Sequence, residues 1–199
     1  MTNWYKVVLT SLALALIGAN AHAAIAIDQN QPTVNGAWSP LNTSVQYNQS
    51  FTAGANNVAG AGIYFDSGSP SGGTMTLEIW DGLSGLGGTL LATGTTNTDT
   101  SQLGNWVDVF WTPVSLTIGN PYYLHVTGDT QTYYAYGAGD PYAGGSIFRG
   151  SDGFQFPTDN DLTFRTYYDT TYVPVPAAFW LFGSALLGLV GLGRRRSPN

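Results

Sequence analysis

A chain of 199 residues holds one domain of ordinary size together with targeting segments, and two large domains are excluded. Charged residues make up only 9% of it and aromatic residues 14%, with 26 glycines, a mixture that disfavours a charged helical bundle. No cysteine is present, which excludes disulfides, thiolate metal sites and a cysteine nucleophile. All twelve acidic side chains fall between residues 24 and 173, where Arg149 and Arg165 are the only bases, so this segment carries a net charge of −10. Such a segment cannot neutralise a phosphate backbone, and nucleic-acid binding is excluded as an expectation.

The N-terminal segment reads as a secretory signal peptide over residues 1–23. Lys6 supplies a positive charge, an apolar run extends from Val7 to Ala19, and Ala21-His22-Ala23 followed by Ala24 has the small side chains that signal peptidase requires. A second small-x-small set at Ala24-Ile25-Ala26 leaves the cut open by about three residues.

From residue 24 to 172 apolar positions recur with period two, the spacing of half-buried strands. The run Thr74–Trp80 places Met75, Leu77 and Ile79 on one face and Thr76 and Glu78 on the other. Strands are also predicted at Val45–Thr52, Val58–Phe65, Trp106–Thr112, Val114–Ile118, Tyr122–Thr127, Thr132–Tyr136 and Leu162–Tyr168, with shorter ones at Leu90–Thr95 and Ser146–Arg149. Turn-forming clusters separate them, including Asp81-Gly82, Gly87-Gly88, Gly119-Asn120-Pro121 and Asp152-Gly153. Eight to ten short strands without a helix signal predict an all-β fold, an antiparallel β-sandwich of jelly-roll type. The order Gly73–Asp81, Trp106–Val109, Pro121–Val126, Ala143–Ser146 and Asp161–Arg165 is similar to jelly-roll modules of bacterial surface proteins that look like galactose-binding or carbohydrate-binding domains.

No catalytic residue is identified. After signal removal His125 is the only histidine, it alternates onto the face opposite Leu124 and Val126, and no Gly-x-Ser-x-Gly elbow presents a nucleophile beside it. The reading is therefore non-enzymatic, with a glycan-cleaving carboxylate pair left as a remote alternative because nothing singles out two acids. No cofactor is expected beyond a structural calcium ion. Asp152, Asp159 and Asp161 offer hard oxygen ligands, and the competing reading is that they are turn residues bonding nearby backbone. Tyr133, Tyr134, Tyr136 and Tyr142 lie among glycines and suit stacking on sugar faces, and packing in the core is the competing and favoured reading.

The last segment, 173–199, holds Val173-Pro174-Val175-Pro176, then an uncharged run from Ala177 to Gly193, then Arg194-Arg195-Arg196. As a helix, residues 177–193 cover about 26 Å, just short of the roughly 30 Å hydrocarbon core. They predict a single transmembrane helix with its arginines in the cytoplasm and the β domain outside. Proline motif, apolar helix and arginine cluster in this order resemble the PEP-CTERM sorting signal in its V-P-L-P-A variant, with Val175 standing where the variant has Leu. The resemblance implies a Gram-negative host, recognition by an exosortase that cuts near the proline motif, and association with exopolysaccharide, biofilm or floc. A permanent, uncut anchor is the competing reading.

Together these features predict an exported protein with signal peptidase and exosortase as processing partners and the inner membrane as a transient station. Its destination is the cell surface or extracellular matrix, with a structural or adhesive role toward exopolysaccharide. The alternative is a carbohydrate-binding module for one defined glycan.

Overall fold

The structure, a computed structural model, describes residues 24–41, 46–65, 73–99, 102, 104–129, 132–150, 152–155 and 160–172, with backbone alone over 36–41 and 132–138. Most of the targeting segments, with Ala21, Ala23, Val173, Pro174, Val175, Pro176 and Arg194 to Arg196, lie outside the described residues, as does Asp159.

Twelve strands are described: β1 (Ile25–Gln31), β2 (Gly36–Leu41), β3 (Tyr47–Thr52), β4 (Asn57–Tyr64), β5 (Thr74–Trp80), β6 (Leu90–Asn97), β7 (Trp106–Ser115), β8 (Pro121–Gly128), β9 (Thr132–Ala138), β10 (Ile147–Arg149), β11 (Asn160–Leu162) and β12 (Phe164–Asp169). They form a four-stranded sheet β1-β12-β4-β7, a five-stranded sheet β10-β3-β8-β5-β6 and a small sheet β11-β9-β2. Every strand pairing is antiparallel. The small sheet touches both large ones, β9 against β4 and β2 against β8.

Alternation decides which side chains are buried. In β5, Met75, Leu77 and Ile79 are buried while Thr74, Thr76, Glu78 and Trp80 are half-buried. Phe51, Leu77, Ile79, Leu124 and Val126 of the five-stranded sheet join Ala61, Ile63, Val107, Val109 and Phe164 of the four-stranded sheet in one core. Two antiparallel sheets sharing a core are the arrangement of a β-sandwich.

Three departures from the sequence reading have local causes. The predicted strands at Trp106–Thr112 and Val114–Ile118 are one strand, β7, whose pairing with β4 is bulged: Val58 faces Val114 and Gly60 faces Phe110. The bulge accommodates Pro113, which has no N–H for the ladder, and the Trp111 indole N–H donates to the Val58 carbonyl at 3.2 Å. The predicted strand Leu162–Tyr168 is interrupted at Thr163, because Leu162 pairs with Tyr136 in the small sheet and Phe164 with Ile63 in the four-stranded one. Finally β1 and β2 were not anticipated, since Ile25–Gln31 is partly polar on both faces and Pro40 sits within Gly36–Leu41.

Candidate functional site

The most distinctive surface lies on the outer face of the four-stranded sheet and begins with two glycines. In β4, Ala61 and Ile63 point into the core, so Gly60 and Gly62 occupy the opposite, outward positions. Gly62 is paired with Arg165 on one side and Asp108 on the other, and Gly60 with Tyr167 and Phe110. A Cβ at Gly62 would lie 2.0 Å from Asp108 Oδ1, and one at Gly60 would lie 2.6 Å from the Phe110 ring. The bare central strand therefore lets side chains of β12 and β7 meet across it.

They meet in a fixed arrangement. Arg165 Nε donates to Asp108 Oδ1 at 2.8 Å and its Nη2 donates to Oδ2, while the Tyr167 hydroxyl donates to Oδ1 at 2.8 Å. The guanidinium carbon stands 4.3 Å from the centre of the Trp106 ring and 5.4 Å from that of Tyr167. Trp106 meets Tyr64 edge-on at 5.7 Å, and Phe110 meets Tyr167 at 5.0 Å. Burial lowers the Arg165 pKa, but the hydrogen bond and charge of Asp108 outweigh it and the net shift is upward. Burial, followed by the Asp108 hydrogen bond, pushes the Tyr167 phenol well above its ordinary value. Arg165 therefore stays cationic and the Tyr167 phenol neutral across ordinary pH. Phe110 remains 54% exposed, and Ile27, paired with Tyr167 from the edge strand β1, remains 46% exposed.

Trp106 and Phe110 occupy the same face of β7 four residues apart, about 13 Å along the strand. A flat surface with aromatic groups at that interval and a held guanidinium between them can stack and hydrogen-bond an extended, hydroxyl-rich polymer. Two features of the sequence point to it. Trp106-Val107-Asp108-Val109-Phe110 directs its valines inward and the large aromatics outward, and Gly60-x-Gly62 inside a strand marks a close approach.

The residues singled out from sequence are distributed elsewhere. Tyr133, Tyr134 and Tyr136 lie on β9 of the small sheet, where only the backbone is described. Tyr142, on the connection from β9 to β10, is half-buried; its hydroxyl donates to Gln29 Oε1 at 2.8 Å and its ring packs edge-on against Phe164 at 5.1 Å. Burial raises its pKa, and these contacts make it part of the packing beside the core. Asp152 is exposed and pairs with Arg149, whose hydrogen bond holds its carboxyl down at about 2. It also accepts the Phe154 N–H at 3.1 Å in a turn completed by Gly153, whose φ of 68° favours glycine. Asp161 is 1% exposed and accepts from Gln49 Nε2 at 2.8 Å and the Tyr142 N–H at 3.1 Å, with burial raising its pKa. Among the described residues no three His, Cys, Asp or Glu side chains gather where they could hold a metal ion. Ala24 closes the sheet edge: its carbonyl accepts the N–H of Thr170 at 2.9 Å.

No protein-family model and no curated protein matches the sequence. Among solved structures, the chain resembles the clostridial cysteine protease Cwp84 in its form after propeptide cleavage, with a TM-score of 0.51 and 13% identity over 74% of this chain and 40% of that one. A second structure, of the cysteine protease and lectin-like domains of Cwp84, described as a surface layer associated protein of Clostridium difficile, aligns with a TM-score of 0.49 and 12% identity over 77% and 37% of the two chains. The chain thus spans less than half the length of the proteins it resembles. One expectation is corrected by this likeness. The non-enzymatic reading rested on a lone histidine, His125, with no nucleophile elbow beside it, and the matched chain is a cysteine protease. What the present chain lacks is any cysteine to serve as that type of nucleophile. At 13% identity the likeness shows the fold, an all-β architecture shared with part of a larger protein.

Proposed function

We propose that this is an exported jelly-roll protein of the bacterial cell surface or extracellular matrix that holds exopolysaccharide on the outer face of its four-stranded sheet. The observation that carries the reading is the Trp106–Arg165–Tyr167–Phe110 platform, built on a bare glycine strand and left open to solvent at Phe110. The likeness of fold to Cwp84, described as a surface layer associated protein with a lectin-like domain, agrees with it. Delivery follows from the two ends: a signal peptide over 1–23 and a PEP-CTERM-like tail with the proline motif Val173–Pro176, a membrane helix over 177–193 and Arg194 to Arg196. Of the two signal cuts, the one after Ala23 keeps Ala24 and the whole of β1, whereas a cut after Ala26 would remove two residues of that strand.

Affinity electrophoresis through gels containing the producing cell's exopolysaccharide tests the platform. Trp106→Ala and Phe110→Ala are each expected to weaken retardation about two- to tenfold, the loss of about 0.5–1.5 kcal/mol of stacking. Thermal stability should change little for Phe110→Ala, since that ring is 54% exposed. Wild-type retardation in both variants would refute the platform. For delivery, mass spectrometry of the mature protein should find an N-terminus at Ala24 and a C-terminus near Pro176; intact Met1 and Asn199 on surface material would refute it.

A further inference from the structure

The described chain enters and leaves the sandwich at the same end. The Ala24 carbonyl accepts the Thr170 N–H at 2.9 Å and the Thr170 hydroxyl at 3.0 Å, and the Tyr172 hydroxyl lies 2.9 Å from Ser115 Oγ. Two connections close that end beside them: the Gly119 N–H donates to the Ala53 carbonyl at 2.8 Å, the Ala53 N–H to that of Asn120 at 3.0 Å, and the Leu116 N–H to that of Asn56 at 2.8 Å. Between these segments lies a cleft of about 400 Å³, with Ile27, Asp28, Ile118, Tyr168, Asp169 and Tyr172 among its walls. Ile118 is 62% exposed, Ile27 46% and Ile25, paired with Asp169, 42%. Three isoleucines gathered at one end are apolar surface that the described residues leave uncovered.

What covers it follows from where the chain goes next. Val173 to Pro176 separate Tyr172 from the uncharged run 177–193, and the steps from Tyr172 to Ala177 reach no more than about 18 Å even when fully extended. The sandwich extends away from this end for roughly 23 Å, the length of β8. A membrane helix over 177–193 therefore brings this end, and not the one at Asn97 and Gly128, to the bilayer surface. The apolar run Val7–Ala19 of an uncut precursor joins the domain through Ala24, at the same place. Charge selects the kind of surface. Among the described residues no base lines the cleft, whereas Asp28 and Asp169 do. Asp28 accepts the Gly54 N–H at 3.2 Å, and Asp169 accepts the Thr171 N–H at 2.8 Å and hydroxyl at 2.7 Å. Burial raises the Asp28 pKa, a cost that a nearby cation relieves. Tyrosines suit the headgroup level, with an apolar ring and a polar tip, and carboxylates there attract ammonium groups and repel anionic lipid. We infer that this end of the sandwich docks on a zwitterionic lipid bilayer, with Ile25, Ile27 and Ile118 entering the headgroup layer and Asp28, Tyr168 and Tyr172 facing lipid ammonium groups. The inference rests on the proposed membrane helix over 177–193 and adds that the domain itself grips the membrane which the tail crosses.

The chain has no cysteine, so single-cysteine variants each carry one fluorophore. The full chain is reconstituted into vesicles of phosphatidylcholine and phosphatidylethanolamine that contain a lipid with a nitroxide on its headgroup. Labels at Ile118→Cys and Ile25→Cys are expected to be quenched about threefold or more over one at Asn97→Cys, which lies an exposed strand length away. A Gly/Ser insert of about eight residues between Tyr172 and Val173 separates contact from tethering. Contact keeps the quenching in the lengthened chain, and a fall to the Asn97 level overturns the inference. In that lengthened chain Ile118→Asp should lower quenching of the Ile25 label about threefold or more, because an apolar anchor is lost. Vesicles of phosphatidylglycerol should lower it about twofold or more. No loss in either case overturns the assigned surface, and lipid-independent self-quenching with doubled mass would give the face to a second copy instead. A label at Ala185→Cys reports on the helix: Ala185 in hydrocarbon with Ile118 unquenched defeats this inference alone, whereas Ala185 in water defeats the membrane helix and this inference with it.

Discussion

Phe164→Ala is expected to lower folding stability by about 3–5 kcal/mol, the largest effect of any single change considered for this protein. The ring is 0% exposed at the first position of β12, beside the point where the chain leaves the small sheet for the four-stranded one. It belongs to the core shared by both large sheets and packs against the Tyr142 ring at 5.1 Å, in edge-on geometry. Collapse of the cavity is resisted because its walls are strands held in hydrogen-bonded ladders, so the lost burial and the void add. Urea denaturation of the variant should show the loss as a lower midpoint at unchanged slope, and thermal melting should fall by about 2–4 °C per kcal/mol. A loss under about 1 kcal/mol would show that this face is not the common core.

Asp108→Ala should cost about 2–3 kcal/mol and abolish polysaccharide retention together. Its carboxylate accepts from Arg165 twice and from the Tyr167 hydroxyl once, so deletion strands a guanidinium and a phenol at the same time. The Asp108 and Arg165 side chains are 23% and 20% exposed. The effect therefore falls between the roughly 3–5 kcal/mol of breaking a fully buried pair and the under about 1 kcal/mol of an exposed one. Arg165 released from Asp108 also loses its fixed position over Trp106, which is why binding should fall further than the aromatic variants predict. A double-mutant cycle with Arg165→Ala separates pairing from packing: a coupling energy near zero would mean that the two residues act independently. Asp108→Asn keeps acceptor capacity for one partner and should lie between wild type and alanine.

The contrast between the two faces of β4 shows how far sequence reasoning reaches. Alternation in Val58–Phe65 identifies a strand and its buried side, because period two follows from the pleat alone. Nothing in that alternation says that Gly62 will stand between Arg165 and Asp108, which are 57 residues apart in the chain, so the platform stays invisible until register is known. The tyrosines were conspicuous by composition, yet Tyr142 is committed to Gln29 and Phe164, contacts made by residues remote in sequence. Asp161 was attractive as an ion ligand beside Asp152, but the carboxylate turns inward to Gln49 because β11 joins the small sheet.

Sequence by itself determined the all-β class, the inward face of strands such as β5 and β8, the positions of the Gly119 and Gly153 turns, and the exclusion of disulfide and thiolate chemistry. These depend on side-chain period, glycine dihedrals and residue inventory, which are local or compositional. Tertiary structure alone decided that three sheets form, that Pro113 is absorbed in a bulge, and that Arg165, Asp108, Trp106 and Phe110 share one surface. Each of those depends on which strands become neighbours and in what register, and pairing between distant segments is settled by burial of the whole core rather than by any stretch of chain.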